Sequence, residues 1–429
     1  MSCKQMISFA LVLIVTIISG LTGCETPKSV FRCTDRLGCI DITSKDPIKI
    51  GVIQALSGNV APLGLEQIRG IGLALDKWQG KYPERPIVIQ TEDSGCTEEG
   101  GANAALKIIA DPQIAAILGT TCSSAAASVS KAMSDAGLVM ISGNNSAPFL
   151  TSINGKRAPN WHPGYFRTAA NEETSGKTAA LYAFHKLGIR KAATIHDGDI
   201  YTRGLTDGFA ATFLQLGGDI VLAASINKGD NQMQPVLKAV LNSRAEFLFF
   251  PLFQPEGNHI LEEARQTPGF EHIILMSDGA LIESSFIEDV KELGKGMYFV
   301  GPSSPDGPDV HALAAAYQAK YHVLPSTNYY LRAYDAACLL LETIWNTAIQ
   351  ETDGTLHIGR QALRDALYAT RDFKGVTGSL TCDEFGDCSL PVFNVLRLDD
   401  PSAGIAGLLS NVMFTYRHNN LTDQADGDN

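Results

Sequence analysis

A chain of 429 residues, 45% hydrophobic and 19% charged, has an ordinary globular composition and room for about two or three domains. Its formal net charge of −12 argues against a nucleic-acid partner, which favours a basic surface.

The N-terminus reads as an export signal. Lys4 precedes an apolar run over residues 7–18, short of the ~20 residues a spanning helix needs. Leu21-Thr22-Gly23-Cys24 follows and looks like a bacterial lipobox. Residues 1–23 are then a lipoprotein signal peptide and Cys24 the lipid carrier. An ordinary secretory signal with an incidental Cys is the competing reading, and both export the chain. Residues 24–46, with Thr26, Pro27, Ser29 and Ser44, read as a tether.

Export makes disulfides persistent. Cys33 and Cys39 bracket a short loop containing Gly38, and Cys382 and Cys388 bracket the turn-rich Asp383-Glu384-Phe385-Gly386-Asp387, so a local bridge suits each pair. Cys96 and Cys122 each sit just past a strand, where they can face each other across one sheet edge. Cys338 lies in an apolar helix and reads as a free buried thiol. Zinc lacks a CxxC pair or clustered His, so no metal or cofactor is expected.

The folded part begins with a strand over residues 48–53. The next helix carries Ile68, Ile71, Leu75 and Trp78 at helical spacing. A strand over 87–90 precedes a helix over 98–110, stopped by Asp111-Pro112. Residues 114–118 form the next apolar strand, and Gly119-Thr120-Thr121-Cys122-Ser123-Ser124 turns into an Ala/Ser-rich helix ending near Asp135. A further apolar run, 138–141, leads into Ser142-Gly143-Asn144-Asn145-Ser146-Ala147-Pro148. In open parallel sheets the loops after strand ends are where ligands bind. A helix N-terminus with free N–H groups and Ser hydroxyls suits a carboxylate. The plainer reading of Ser123 and Ser124 is that they cap the helix.

An irregular passage over 154–164 leads to a crossover strand at 165–168. Strand–helix alternation then restarts, with strands at 191–196, 219–226, 246–251, 272–276 and 296–300. Gly301 to Pro308 forms a second crossover. Helices follow at 310–322, 329–350 and 359–368, and strands at 376–380 and 392–398 flank the Cys382/Cys388 hairpin. This is an α/β chain of two doubly wound lobes with parallel central sheets joined by a multi-strand hinge. One lobe takes 47–167 and 302–375, the other 168–301 and 376–416, and 417–429 is a flexible acidic tail.

Several pieces together resemble one family. Ile50-Gly51-Val52, Leu56-Ser57-Gly58, Gly64, Gly70, Cys122-Ser123-Ser124, residues 140–148, Gly378-Ser379-Leu380 and the Asp383 to Asp387 segment are similar to the leucine/isoleucine/valine group of type I periplasmic binding proteins. The resemblance spans roughly residues 46–400. It implies an exported, monomeric receptor that captures an amino acid or similar small solute between two lobes and delivers it to an ABC-type permease. It implies that Ser123 and Ser146 hold the ligand carboxylate, that the Asn144 carbonyl meets the ammonium, and that Tyr201 closes over the ligand. Asp278 falls where an acidic residue pairs with the ammonium, and the family bridges the positions of Cys96 and Cys122. There are departures. Leu63 stands where an aromatic is frequent, Phe253 where a Tyr is common, and Asp278 is one methylene shorter than the usual Glu. Asn144-Asn145 adds polar side chains, so a polar amino acid, amide or short carboxylate is as open as a branched chain.

Two other classes compete. A secreted enzyme lacks support, because no G-x-S-x-G, H-E-x-x-H, P-loop or G-x-G-x-x-G occurs. A ligand-sensing subunit with the same fold differs from a transport receptor only in its partner. The anchored lipoprotein would face the periplasm or the cell exterior.

Overall fold

Strand Ile114–Gly119 is buried at every position, as expected of a parallel strand covered on both faces. It is the third in chain order of a five-stranded parallel sheet. The five are β1 (Ile48–Gln54), β2 (Ile87–Asp93), β3 (Ile114–Gly119), β4 (Met140–Ser142) and β5 (Tyr165–Arg167), in the order β2-β1-β3-β4-β5. Helices α1 (Ala61–Lys81), α2 (Glu98–Ile109) and α3 (Ser123–Asp135) connect the first four strands. The structure is a computed structural model that describes residues 31–82 and 84–417. The signal segment, Cys24 and residues 418–429 lie outside the described residues.

A second sheet has seven strands: β6 (Lys191–His196), β7 (Asp219–Ser225), β8 (Phe247–Phe249), β9 (Ile274–Asp278), β10 (Tyr298–Pro302), β11 (Val392–Arg397) and β12 (Val412–Arg417). The order is β7-β6-β8-β9-β10-β11-β12, parallel through β10 and antiparallel across the last two pairings. The sheet is therefore mixed rather than wholly parallel. β11 enters from the far end after the chain's last crossover, and β12 folds back on it. Arg417, expected in the tail, closes β12. Helices α4 (Glu173–Leu181) and α5 (Ile200–Gln215) pack together on the face turned toward the first sheet. One core cluster runs from Val129 and Met133 of α3 to Leu205 and Phe209 of α5.

The chain passes out of the first sheet after β5 and returns after β10 to form α6 (Tyr329–Thr347), a long helix laid against α1. Glycine permits the approach: a Cβ at Gly70 would lie 2.2 Å from the Tyr330 carbonyl oxygen. At the other end of the contact, a Cβ at Gly143 would lie 2.6 Å from the Ala333 nitrogen. The start of α6 thus rests on the turn after β4.

Three placements differ from the sequence expectation. Cys39–Ile42, expected in the tether, is a strand paired antiparallel with Leu356–Gly359. Ile40 and Ile42 alternate into the core and supply the reason. Residues 376–416 do not stay together. Leu380, Cys382 and Cys388 join the core around the first sheet, and only β11 and β12 join the second. Cys338 is a free thiol but only partly buried. Bridges join Cys96 to Cys122 and Cys382 to Cys388, and Cys33 and Cys39 are both disulfide-bonded.

What holds the Cys382–Cys388 loop to the first sheet is Arg167. Its N–H donates to the Gly386 carbonyl at 2.9 Å and its carbonyl accepts from the Cys388 N–H at 3.0 Å, which extends the sheet beyond β5. Its side chain is fully buried. Nε donates to Asp387 Oδ1 at 2.5 Å, Nη1 to the Ala147 carbonyl at 2.8 Å, and Nη2 to Thr151 Oγ1 at 2.5 Å. Removing one partner of a buried ion pair leaves an uncompensated charge. Asp387→Asn should therefore lower stability by about 3–5 kcal/mol in chemical denaturation. A loss under 1 kcal/mol would show that the guanidinium does not depend on this carboxylate.

Candidate functional site

The turn after β3 is held by threonine and asparagine side chains. Thr121 Oγ1 donates to Gln54 Oε1 at 2.8 Å and accepts from the Ala55 N–H at 2.9 Å, fixing the turn to the end of β1. Asn145, from the turn after β4, accepts the Thr120 N–H at 3.1 Å and donates to the Thr120 carbonyl at 2.9 Å. Ser142 Oγ accepts the N–H groups of Asn144 and Asn145 at 3.1 and 2.9 Å. The two turns are thus cross-braced into one rigid ledge.

Helix α3 begins on that ledge without a side-chain cap. Its N-cap position is Cys122, extended and bridged to Cys96, which has no oxygen to offer the first turn. Ser123 does not cap either, because it is already the first helical residue. Its Oγ instead accepts the Ala147 N–H at 3.3 Å. The positive end of α3 is therefore left for another acceptor. Nearby, the Asn144 side chain donates to the Thr121 carbonyl at 2.8 Å, while its Oδ1 is buried without a partner.

The opposing wall comes from the second sheet. Tyr201 sits in the first turn of α5, whose N-cap Asp199 accepts the Tyr201 N–H at 2.9 Å. Its ring lies 5.2 Å from that of Phe253, within the range of favourable aromatic pairs. Between the walls is a small cavity. Leu63, Ser123, Asn144, Ser146, Tyr201 and Phe253 all line it, so six residues named from the sequence meet in one place. Thr121, Cys122, Ala280 and Tyr329 complete the lining.

Asp278 does not line the cavity. It is fully buried behind Tyr201, whose hydroxyl donates to its Oδ2, and it also accepts the Ala280 N–H at 3.3 Å. Burial pushes its carboxyl up to about 7, against the lowering effect of the Tyr201 and backbone hydrogen bonds. With one methylene fewer than Glu, the group stays behind the tyrosine.

A second acid escapes the sequence reading. Glu172 is buried, its N–H donates to the Ser146 carbonyl at 3.0 Å, and its Oε2 has no hydrogen-bond partner. Burial, then the nearby Asp278 charge, push it up to about 8. Asn171-Glu172-Glu173 looks like the usual acidic start of a helix, which hid it. Tyr329 was equally hidden at the head of a long apolar helix. Its hydroxyl donates to the Gly279 carbonyl at 3.2 Å, so α6 meets the second sheet at the cavity edge.

The cavity therefore has helix N–H groups and hydroxyls on its first wall, and two buried acids lie just outside its lining, Glu172 beside Ser146 and Asp278 behind Tyr201. Apolar surface from Leu63, Phe253 and the tyrosine rings fills the rest. Such an arrangement suits a small zwitterion.

Known proteins share this build. A Leu/Ile/Val-binding protein homolog of Brucella melitensis biotype 1 is 26% identical over 357 residues, covering 82% of this chain and 92% of that one. The Leu/Ile/Val-binding protein BraC3 of Rhizobium johnstonii is 25% identical, covering 82% and 91%. Among solved structures, the branched-chain amino acid transporter substrate-binding protein LivJ of Streptococcus pneumoniae, in complex with isoleucine, superposes with a TM-score of 0.72 at 20% identity, covering 87% and 99%. A solute-binding protein of an R. palustris ABC transporter, in complex with benzoate, superposes at 0.67 with 21% identity, covering 82% and 93%. The family model described as periplasmic binding protein matches residues 47–387, most of the chain, and the protein belongs to that family.

Proposed function

We propose that the protein is an exported, monomeric solute receptor that captures an amino acid or related zwitterion between two lobes and hands it to an ABC-type permease. The observation that carries this reading is the two-sided cavity: the uncapped end of α3 on one wall faces Tyr201 and Phe253 of the other, with the buried Glu172 and Asp278 just behind the lining. The names of the relatives, Leu/Ile/Val-binding proteins, support the amino-acid class. One solved neighbour holds isoleucine and another benzoate, and both ligands carry a carboxylate. Anchoring through lipid on Cys24 is part of the same proposal and rests on the lipobox.

In this reading Ser123, with its N–H and hydroxyl, and Ser146 receive the carboxylate at the head of α3. Asn144 faces the ammonium with its unpartnered Oδ1, and Glu172 supplies the nearest negative charge. Asp278 adds its charge from behind Tyr201. Tyr201 and Phe253 cover the ligand from the second lobe, and Leu63 meets its apolar part. A ligand touching both walls favours the closed arrangement of the lobes, which a permease can recognise.

Two outcomes follow. In a thermal-shift and calorimetric screen of free amino acids and amides, at least one should stabilise the chain, and Ser123→Ala should weaken it by about 1.5–3 kcal/mol, the worth of a hydrogen bond to a charged group. No stabilisation by any such solute would end the amino-acid reading, and an unchanged affinity would remove Ser123 from the site.

The second outcome concerns protons. Asp278 and Glu172 are raised, to about 7 and about 8, so the folded ligand-free state holds their protons more tightly than the unfolded chain does. Their stabilising contribution is full at low pH and is lost as pH rises through those values. An ammonium favours the ionised acids, so binding should release protons near pH 6.5 and tighten between pH 5.5 and 8. Calorimetry in buffers of different ionisation enthalpy reads this directly. Proton uptake, or none, would show that these acids do not face the ligand cation.

A further inference from the structure

Tyr329 lines the ligand cavity and also a neighbouring small one on the hinge side. That cavity shares Ser303, Ser304, Pro305 and Arg332 with an adjoining groove of about 1010 Å³. Arg332 lies one turn beyond Tyr329 on α6 and is only 8% exposed. Its carbonyl accepts from Thr168 Oγ1 at 2.8 Å, but no hydrogen bond or ion pair to its guanidinium is found among the described residues. Every other buried arginine has acceptors. Arg167 has Asp387 and Ala147, Arg364 donates to the Leu138 carbonyl at 2.8 Å, and Arg85 to the Thr43 carbonyl at 3.1 Å.

The acids near Arg332 do not serve it. Asp335 is engaged by the N–H groups of Val376 and Thr377 at 2.8 and 2.9 Å and by Thr377 Oγ1 at 2.5 Å. Glu172 acts only through the field, from the ligand side. In a chain of net charge −12, neither cavity is lined by a single Asp or Glu, whereas Arg332 and Arg417 both line the larger. The first turn of α6 also opens onto the smaller cavity: Asn328 at its N-cap gives no side-chain cap, although Thr327 Oγ1 accepts the Tyr329 N–H at 3.1 Å. With no protein acceptor among the described residues, the Arg332 guanidinium opens onto these two cavities, where an anion can complete it.

We infer that Arg332 anchors a second, anion-binding subsite in the hinge-side cavities, taking a carboxylate or an inorganic oxyanion. Ser303 and Ser304 stand in both cavity walls as further donors, and Asn328 Nδ2 orients Ser304 by donating to its Oγ at 2.7 Å. The anion has two sources. It is either a free oxyanion or the acidic far end of a captured amino acid, and only the latter rests on the function proposed above.

Thermal shift and calorimetry on the 429-residue chain separate them. Sodium phosphate should stabilise the protein saturably beyond sodium chloride of equal ionic strength if the anion is free. L-Glutamate should outbind L-glutamine at least tenfold if it belongs to the ligand. Either response should fall at least tenfold in Arg332→Gln and recover in part in Arg332→Lys. The inference is overturned if the unmodified protein responds to neither anion beyond chloride, or if Arg332→Gln responds as the unmodified protein does. Binding of neutral amino acids without any anion effect overturns this subsite alone. A phosphate effect without amino-acid binding overturns the cleft reading and leaves the subsite standing.

Discussion

A single buried cation ties the ligand ledge to the hinge. Arg167 is the last residue of β5, and it has no exposed surface. Burying a guanidinium is tolerable only with excellent geometry and satisfied protons. Those demands recruit distant parts of the chain: the carbonyls of Asn145 and Ala147 from the second turn, Thr151 from the passage after it, and Asp387 from the loop closed by Cys382 and Cys388. The turn that presents Asn144 and Ser146 to the cavity is therefore set by a charge more than 200 positions away in sequence. Asn171 adds to the same knot, donating to Asp387 at 3.2 Å one residue before Glu172.

The first turn reaches rigidity by a different route. A Ser, Thr or Asp at the N-cap would satisfy the opening N–H groups of α3 and leave little for a ligand. Cys122 stands there instead. Its sulfur is bonded to Cys96, so the residue is fixed in place without answering the helix end. Thr121 and Asn145 supply the remaining bracing through their hydrogen bonds with Gln54 and Thr120. Stiffness and unsatisfied donors coexist because different atoms provide them.

Periodicity exposed the lobes: apolar runs such as Ile114–Gly119 and helical stripes such as Ile71, Leu75 and Trp78 mark buried elements wherever they fall. The same logic failed at Cys39–Ile42, four residues too few to show a period among Ser, Asp and Pro neighbours. It failed again at residues 380–388, whose side of the hinge is decided by the long-range Arg167–Asp387 pair, not by local pattern. Of the six cavity residues, Ser123, Asn144 and Ser146 follow from the loops after parallel strands, whereas Leu63, Tyr201 and Phe253 come from the family resemblance. Glu172 and Tyr329 were not legible, because an acid at a helix start and an aromatic on an apolar helix are ordinary locally. Only their neighbours in space make them unusual.

The two acids reach the cavity in different ways. An Asp at 278 cannot reach past the Tyr201 ring: its Oδ2 accepts both the Tyr201 hydroxyl and the Ala280 N–H, and Ser277 Oγ lies 3.5 Å from its Oδ1. Its charge reaches the cavity only as a field, which also raises Glu172. Glu172 keeps one oxygen without a partner, at the Ser146 edge of the ledge. In the ligand-free protein the pair resists double ionisation, since two carboxylates in a dry site repel. A cation placed between them would favour their ionised forms.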